Sequence, residues 1–363
     1  MYQNYNIQIR NMSFRERQRD RTLHHPTLQQ HSISQLRYGT FSFVVCADTQ
    51  LGIINDNRDW ETELSFAQCA VNQINDLRPR PLFCCCCGDL VDMESSFYIN
   101  DNKSSKGLTK EMCDDIQDRQ NQDFQQVWSS LHEDIALVCL CGNHDVGNRP
   151  TPSSIQRFQD AFGDDYLAFW ACGSYNIVLN TCLFSNPDGA LELYEKQLNW
   201  LEERLKYAAT EKAEIIFIFG HHPWFLYHDE EEKSDLPGIS PYPVEWNITE
   251  PGGFPDSYFH IPKEYRMRVM QLCEEYQVAA AFSGHFHQNL VSKASFGMEM
   301  IITTSLSLVF NSTGKTLNFS SSDEPTGLRG IRVVDVDIEQ NTQHGKFSHR
   351  FIPLDEEGLK HNS

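Results

Sequence analysis

The stretch Pro81-Leu82-Phe83-Cys84-Cys85-Cys86-Cys87-Gly88-Asp89-Leu90-Val91-Asp92 is an apolar run that breaks into a glycine and then into carboxylates. A short unbroken apolar run bounded by turn residues is the pattern of a strand buried on both faces, not of a helix. Four further runs behave alike. Phe41–Cys46 leads into Asp48-Thr49-Gln50, and Ile135–Cys141 into Gly142-Asn143-His144-Asp145. Ile215–Phe219 leads into Gly220-His221-His222-Pro223, and Val278–Phe282 into Gly284-His285-Phe286-His287. Between the runs lie helical stripes: Leu64, Ala67, Val71, Ile74; then Leu191, Tyr194, Leu198, Leu201, Leu205, Ala208; then Tyr265, Val269, Leu272, Tyr276. Each is one apolar face at a period near 3.6. Strand and helix alternate, so the chain reads as α/β. Near the C-terminus, Met298–Thr303, Ile331–Val336 and Phe347–Ile352 read as strands of a second, more antiparallel region.

Ligands of α/β sheets bind beyond the carboxyl ends of the strands. Each of the five runs ends there in Asp, Asn or His, and four have Gly just before the polar residue. A glycine lets backbone or ligand approach closely. One such residue is ordinarily a cap or a turn, but five independent strand ends carrying the same class of group form a site. Carboxylate, imidazole and amide without thiolate suit a pair of borderline divalent metals. Two metals about 3.5–4 Å apart need a shared carboxylate. His222 follows His221 directly, so on a continuing strand it faces the other way and reads as a supporting residue. The consecutive Cys84–Cys87 cannot converge on one ion, because neighbours on a strand point to opposite faces. They read as small buried hydrophobes.

Over 363 residues there are 30 Lys+Arg against 50 Asp+Glu, a net charge of −20. That balance argues against nucleic acid and anionic membranes as partners, since Lys and Arg supply the sequence-independent part of such affinity. The basic charge concentrates in residues 1–38, with six Arg against Glu16 and Asp20. This segment is polar, lacks an apolar period, and reads as a disordered tail. The remaining segments are expected to be a body over 39–355 and a short tail over 356–363. Within the body, 229–262 opens on Asp229-Glu230-Glu231-Glu232 and then carries six prolines and several aromatics, the composition of an inserted lid. Residues 94–118 are polar and resist assignment. No apolar run is long enough for a spanning helix. Neither is there an apolar signal core, so a cytoplasmic protein is expected, its twelve cysteines mostly free thiols.

In order, the motifs Asp-x-Gln, Gly-Asp-x-x-Asp, Gly-Asn-His-Asp, a strand-end His and Gly-His-x-His resemble the motif set of the calcineurin-like metallophosphoesterases. Phe43–Gly52, Val71-Asn72-Gln73-Ile74-Asn75, Gly163-Asp164-Asp165-Tyr166, Val178-Leu179-Asn180 and Gly330-Ile331-Arg332-Val333-Val334 are similar to a branch regarded as cytosolic serine/threonine phosphatases. The likeness spans roughly residues 40–355. It implies a four-layer α/β/β/α sandwich of two mixed sheets flanked by helices. It also implies two divalent cations, drawn from Mn, Mg, Fe and Zn. Asp48, Gln50, Asp89 and His287 would hold the first. Asp89, Asn143, His221 and His285 would hold the second, with Asp89 shared. A metal-bridging hydroxide would be the nucleophile, His144 the general acid and Asp92 its carboxylate partner.

Two positions depart from that family. Gln50 stands where His is usual, and a neutral amide oxygen shifts the first site toward Mn²⁺ or Mg²⁺. Met93 stands where calcineurin-type phosphatases carry a phosphate-clamping Arg, so the clamp comes from Arg58, Arg149 or Arg332, with Arg332 the substrate-binding candidate, or it is absent. The reading is a monomeric phosphoserine/phosphothreonine protein phosphatase acting on a phosphoprotein. The alternatives are a phosphomonoesterase or phosphodiesterase of small molecules or nucleotides, and a catalytically silent scaffold.

Overall fold

Alternate residues of strand β1 (Gly39–Cys46) serve two different cores: Phe43 and Val45 enter one, Val44 and Cys46 the other. Strand β2 (Phe83–Cys87) divides in the same way, with Phe83, Cys85 and Cys87 on one face and Cys84 and Cys86 on the opposite one. This is the period of two expected of strands buried on both sides. The computed structural model describes Phe14 and residues 39–95, 108–231, 256–309, 327–338 and 345–355.

The first sheet has the order β11 (Lys346–Pro353), β10 (Gly330–Ile338), β1, β2 and β3 (Ala136–Leu140). The second runs β4 (Leu167–Ala171), β5 (Ser174–Val178), β6 (Ile215–Phe219), β7 (Ala280–Ser283), β9 (Glu299–Ile302), β8 (Leu290–Lys293). Both are mixed: β1, β2 and β3 are parallel, as are β5, β6, β7 and β9, while β10, β11, β4 and β8 pair antiparallel. The faces that meet share an aromatic core. The ring of Phe43 stacks on Phe83 at 4.6 Å, and Phe219 on Phe282 at 5.2 Å. Each such buried Phe stabilises the fold by about 1.5–3 kcal/mol. On the outer face of the first sheet lie helices α1 (Glu61–Asp76) and α2 (Lys110–Trp128), sending Val71, Ile74, Phe124 and Trp128 inward. The short α3 (Asn143–Val146), then α4 (Pro152–Phe162) and α5 (Cys182–Ser185) follow. Helices α6 (Leu191–Thr210) and α7 (Lys263–Glu275) cover the second sheet through Leu201, Leu205, Val269 and Leu272. The four-layer α/β/β/α sandwich is as expected.

Three details differ from the sequence reading. The C-terminal strands do not form a region of their own. β9 joins the second sheet beside β7, and β10 pairs antiparallel with β1, Phe43 opposite Val334. The β4–β5 hairpin was not read. Its two-residue loop, Cys172 and Gly173, has φ 45° and 87°, the positive angles such a tight turn requires. The end of the unassigned polar segment, 110–118, is the start of α2, whose buried face carries Cys113, Gln117, Gln120 and Asn121 before Phe124 and Trp128.

All twelve cysteines are free. Cys46 Sγ lies 3.8 Å from Cys84 and 3.5 Å from Cys86, all within the core beneath α1 and α2. Among the described residues no helix is long and apolar enough to cross a membrane. The expected tail over 1–38, apart from Phe14, and that over 356–363 lie outside the described residues, as do 232–255 of the inserted segment. Phe14 packs edge-on against Phe162 of α4 at 6.3 Å. Both flanks of the insertion are tied down. Asp229 accepts from Ser295 Oγ at 2.7 Å, and the fully buried Arg266 donates to the carbonyls of Asp229, at 3.1 Å, and Glu231.

Candidate metal centre and active site

The carboxyl ends of β1, β2, β3, β6 and β7 meet at one edge of the sandwich. Asp48 N–H donates to the Gly88 carbonyl at 3.0 Å, and Gln50 N–H to that of Asp89 at 2.8 Å, so the loops after β1 and β2 run side by side. The second sheet is joined to them by His285 N–H, which donates to Asp48 Oδ2 at 3.0 Å. The approach is close. A Cβ on Gly142 would fall 2.1 Å from Asp89 Oδ1, and one on Gly284 2.4 Å from Asp48 Oδ2. Asp48 (φ 53°), Gln50 (φ 44°), Asp89 (φ 49°), His285 (φ 65°) and His287 (φ 54°) all have left-handed backbone. Such conformations cost energy in non-glycine residues and concentrate at functional sites.

Two groups of side chains gather there. Asp48, Asp89 and His287 have donor atoms within 4.8 Å of one another, as do His221, His222 and His285. His287 Nε2 lies 3.2 Å from Asp48 Oδ1, and His221 Nε2 lies 3.2 Å from Asp89 Oδ2 and 3.0 Å from Asn143 Oδ1. Each of the three imidazoles has its other nitrogen against a backbone carbonyl: His221 Nδ1 on Cys87 at 2.9 Å, His287 Nδ1 on Leu308 at 2.5 Å, His285 Nε2 on Tyr258 at 3.1 Å. A nitrogen that donates to a carbonyl leaves the opposite nitrogen as a lone pair, the arrangement that orients a metal-ligating histidine.

These side chains fit divalent cations. The Asp48 and Asp89 carboxylates are buried, and among the described residues they face no Lys or Arg, only imidazoles. Gln50 Oε1 is buried with no hydrogen-bond partner, a carbonyl oxygen suited to a hard cation. Burial alone would raise the Asp89 carboxyl, but the imidazoles of His221 and His144 outweigh it and hold it far below the carboxylate range. Burial and the neighbouring imidazoles push His285 and His222 well below the usual histidine value, toward the neutral form that binds metal.

His144, at the start of α3, donates its backbone N–H to Asp89 Oδ1 at 2.8 Å and sets its Nδ1 2.9 Å from Asp92 Oδ1. Burial opposes the charged ring, yet Asp89 and Asp92 together raise its pKa to about 9. Asp145, next in sequence, does different work. Its carboxylate accepts Gly142 N–H at 2.7 Å, Leu90 N–H at 3.0 Å and Val91 N–H at 3.2 Å, pinning the loop that carries Asp89. Burial and the charge of Asp89 push the Asp145 carboxyl up to about 7.

Arg332, the expected substrate-binding residue, is fully buried on β10, with Nη2 on Asn289 Oδ1 at 3.0 Å, Nη1 on His349 Nδ1 at 2.8 Å and Nε on Thr303 Oγ1 at 3.3 Å. One expectation is corrected. His222 does not face away, because β6 ends at Phe219 and strand alternation no longer applies; its ring lies 4.3 Å from that of His285.

Several participants went unread. Asn57 Nδ2 donates to Asp92 Oδ2 at 2.6 Å, and Gln120 Nε2 donates to Asn57 Oδ1 at 2.6 Å. A signal for Gln120 did exist, since Cys113, Gln117, Gln120, Phe124 and Trp128 repeat at helical spacing. Tyr258 and Phe259 bring the end of the inserted segment onto His285, with rings 5.2 and 5.7 Å away.

The sequence profile of the family described as Calcineurin-like phosphoesterase matches residues 41–289. Among curated proteins, the chain is 30% identical over 327 residues to "Serine/threonine-protein phosphatase CPPED1" of Bos taurus, covering 88% of this chain and 85% of that protein. The Danio rerio protein of the same name is 30% identical over 278 residues, covering 74% and 76%. Among solved structures, a purple acid phosphatase from yellow lupin (Lupinus luteus) seeds superposes with a TM-score of 0.52 at 11% identity, covering 86% of this chain and 52% of that one; the likeness is one of fold.

Proposed function

Since the chain belongs to the calcineurin-like phosphoesterase family, we propose that it hydrolyses phosphoserine and phosphothreonine in proteins, with two divalent cations as cofactors. Asp48, Gln50, Asp89 and His287 would hold one cation and Asp89, Asn143, His221 and His285 the other. When bound, such ions supply Lewis acidity and a water acidified toward neutral pH.

The rest of the chemistry belongs to the chain. The leaving oxygen of an alkyl phosphoester needs a proton, and His144 Nε2 is the end of the ring left to give it, because Nδ1 is engaged by Asp92. Asp92 orients the imidazole and stabilises its charge, as a carboxylate does behind a catalytic histidine. Asn57 and Gln120 fix Asp92 in turn. Asp145 holds the Gly88–Val91 turn, so Asp89 stays in register with His144. Thr181 Oγ1 accepts from the N–H groups of His221 and His222 at 2.9 and 2.8 Å, which sets the turn after β6.

The observation that carries an enzymatic reading is the His144–Asp92 pair at 2.9 Å beside the buried Asp89. A silent scaffold has no use for an oriented proton donor there. The protein-phosphatase reading draws on the names of the curated relatives. Hydrolysis of a small phosphoester is favoured instead by Met93, fully buried at the position where a clamping Arg would be expected. Turnover of a phosphoserine peptide, p-nitrophenyl phosphate and bis-p-nitrophenyl phosphate by Mn²⁺-loaded protein tests these readings. Peptide hydrolysis at the highest kcat/KM is expected. Preference for either nitrophenyl ester would replace the protein substrate by a small one, and no turnover would leave the scaffold.

A further inference from the structure

We propose that Tyr258 and Asn148 form a neutral subsite for phosphoryl oxygens beside Asn143, in place of a cationic clamp. The inference rests on the phosphoester reading and says how this site would hold its substrate.

A phosphoryl group brings oxygens that need donors once they leave water. The buried candidate arginine is already engaged: Arg332 donates to Asn289 and Thr303 and meets His349, while the exposed Arg58 and Arg149 each spend one donor on a carbonyl, of Asn55 and Asp188. Tyr258, by contrast, is fixed at the centre. Its carbonyl pairs with His285 Nε2 at 3.1 Å, and its ring lies 5.2 Å from that imidazole at 38°. The next residue, Phe259, is 2% exposed and packs on Phe286 at 5.3 Å, which locks the segment in place. The Tyr258 hydroxyl is hydrogen-bonded with the side chains of Asn148 and Asn143. Asn148 is four residues after His144, on the turn that leaves α3. One hydroxyl and one amide therefore converge on the residue shared between the expected second cation and His221. Tyrosine offers one donor and the Asn amide two. Both can turn from each other to a bound anion, and neither adds charge.

The test is calorimetric titration of inorganic phosphate into the Mn²⁺-loaded full chain, as wild type, Tyr258→Phe and Asn148→Ala. The Phe variant keeps the ring and the carbonyl that holds His285. Both variants should bind phosphate about tenfold more weakly, the worth of a hydrogen bond to a charged group. Bound Mn²⁺ and Tm should be unchanged, and KM for p-nitrophenyl phosphate should rise more than kcat falls. Wild-type phosphate affinity in Tyr258→Phe would overturn the subsite and leave the phosphoester reading standing. Loss of Mn²⁺ from that variant would also overturn it, by making Tyr258 a support for His285. Wild-type protein that binds no phosphate would overturn both.

Discussion

His144 Nδ1 and Asp92 Oδ1 stand 2.9 Å apart, and the other Asp92 oxygen takes a hydrogen bond from Asn57. The imidazole is therefore held at one end and presented at the other. His144→Ala should reduce kcat on alkyl phosphoesters by about 10²–10⁴, the usual worth of a positioned acid. p-Nitrophenyl phosphate should suffer much less, because its leaving group departs without a proton. Equal losses on the two substrates would sink the general-acid role.

The same pair sets a pH dependence. Against the effect of burial, Asp89 and Asp92 raise the His144 pKa from 6.5 to about 9. The acid form is present below that value, so kcat/KM on alkyl esters should fall as pH rises through it. Asp92→Asn removes one of the two negative charges. Its alkaline limb should move to lower pH, where measured profiles of the two proteins would show it. An unmoved limb would assign the titration to another group.

Asp89 belongs to the group with Asp48 and His287 and meets the other through His221 Nε2, while its second oxygen takes the His144 N–H. Asp89→Asn should cost more metal and more turnover than the corresponding change at Asp48. Metal analysis that finds two ions per chain, with near-normal turnover, would remove the sharing of Asp89.

Asp145→Ala leaves the buried N–H groups of Gly142, Leu90 and Val91 without their acceptor. Each unsatisfied group costs about 1–3 kcal/mol when water cannot reach it. Urea unfolding should register a loss of several such units, while Asp145→Asn, which keeps one oxygen, should lose less. A loss in Asp145→Ala within that of an exposed substitution would show that the loop holds itself.

The sandwich was legible because its strands are buried on both faces and cannot be built from polar residues. Phe41–Cys46 and Ile215–Phe219 appear almost residue for residue as β1 and β6. The polar residues gathered at the strand ends were legible for a related reason: polar groups at the ends of such runs have no place in a core unless they serve one another. What hid was polar support. Helix α2 turns Gln117 and Gln120 inward, because its task is to hydrogen-bond Asp145, Met93 and Asn57, and hydropathy does not register such a face. Tyr258 hid because only folding brings an aromatic at the end of a proline-rich segment against His285.

Residues 1–38 read as a disordered tail from their polar composition, but Phe14 meets Phe162 in the core cluster beneath α4; removal of residues 1–37 tests what that contact is worth. An edge-on aromatic pair is worth about 0.5–1.5 kcal/mol beyond its burial. Truncation should therefore lower Tm by a few degrees without altering kcat on a small phosphoester. Phe14→Ala should reproduce most of that shift. A Tm equal to that of the full chain would show that the contact adds nothing.

Gln50 is where the chain departs furthest from the commoner first motif, and its surroundings make the departure testable. It stands two residues after Asp48, is tied through its N–H to the carbonyl of Asp89, and keeps a buried Oε1 without a hydrogen-bond partner. An unpartnered buried carbonyl oxygen costs free energy unless something compensates it, and a cation shared with Asp48, Asp89 and His287 would. An amide oxygen is a harder and weaker donor than imidazole, so this site should favour Mn²⁺ or Mg²⁺ over Zn²⁺. Metal-stripped protein should regain most activity with Mn²⁺ or Mg²⁺, and one ion should exchange readily. Gln50→His should tighten that ion and move the preference toward Zn²⁺. Turnover need not rise with affinity, because the groups around Gln50 are fitted to an amide. Titrating Zn²⁺ and Mn²⁺ into metal-free wild type and Gln50→His, with dissociation constants read directly, decides the matter. If both the affinities and their order are the same in the two proteins, Gln50 holds no metal and its oxygen is satisfied by water.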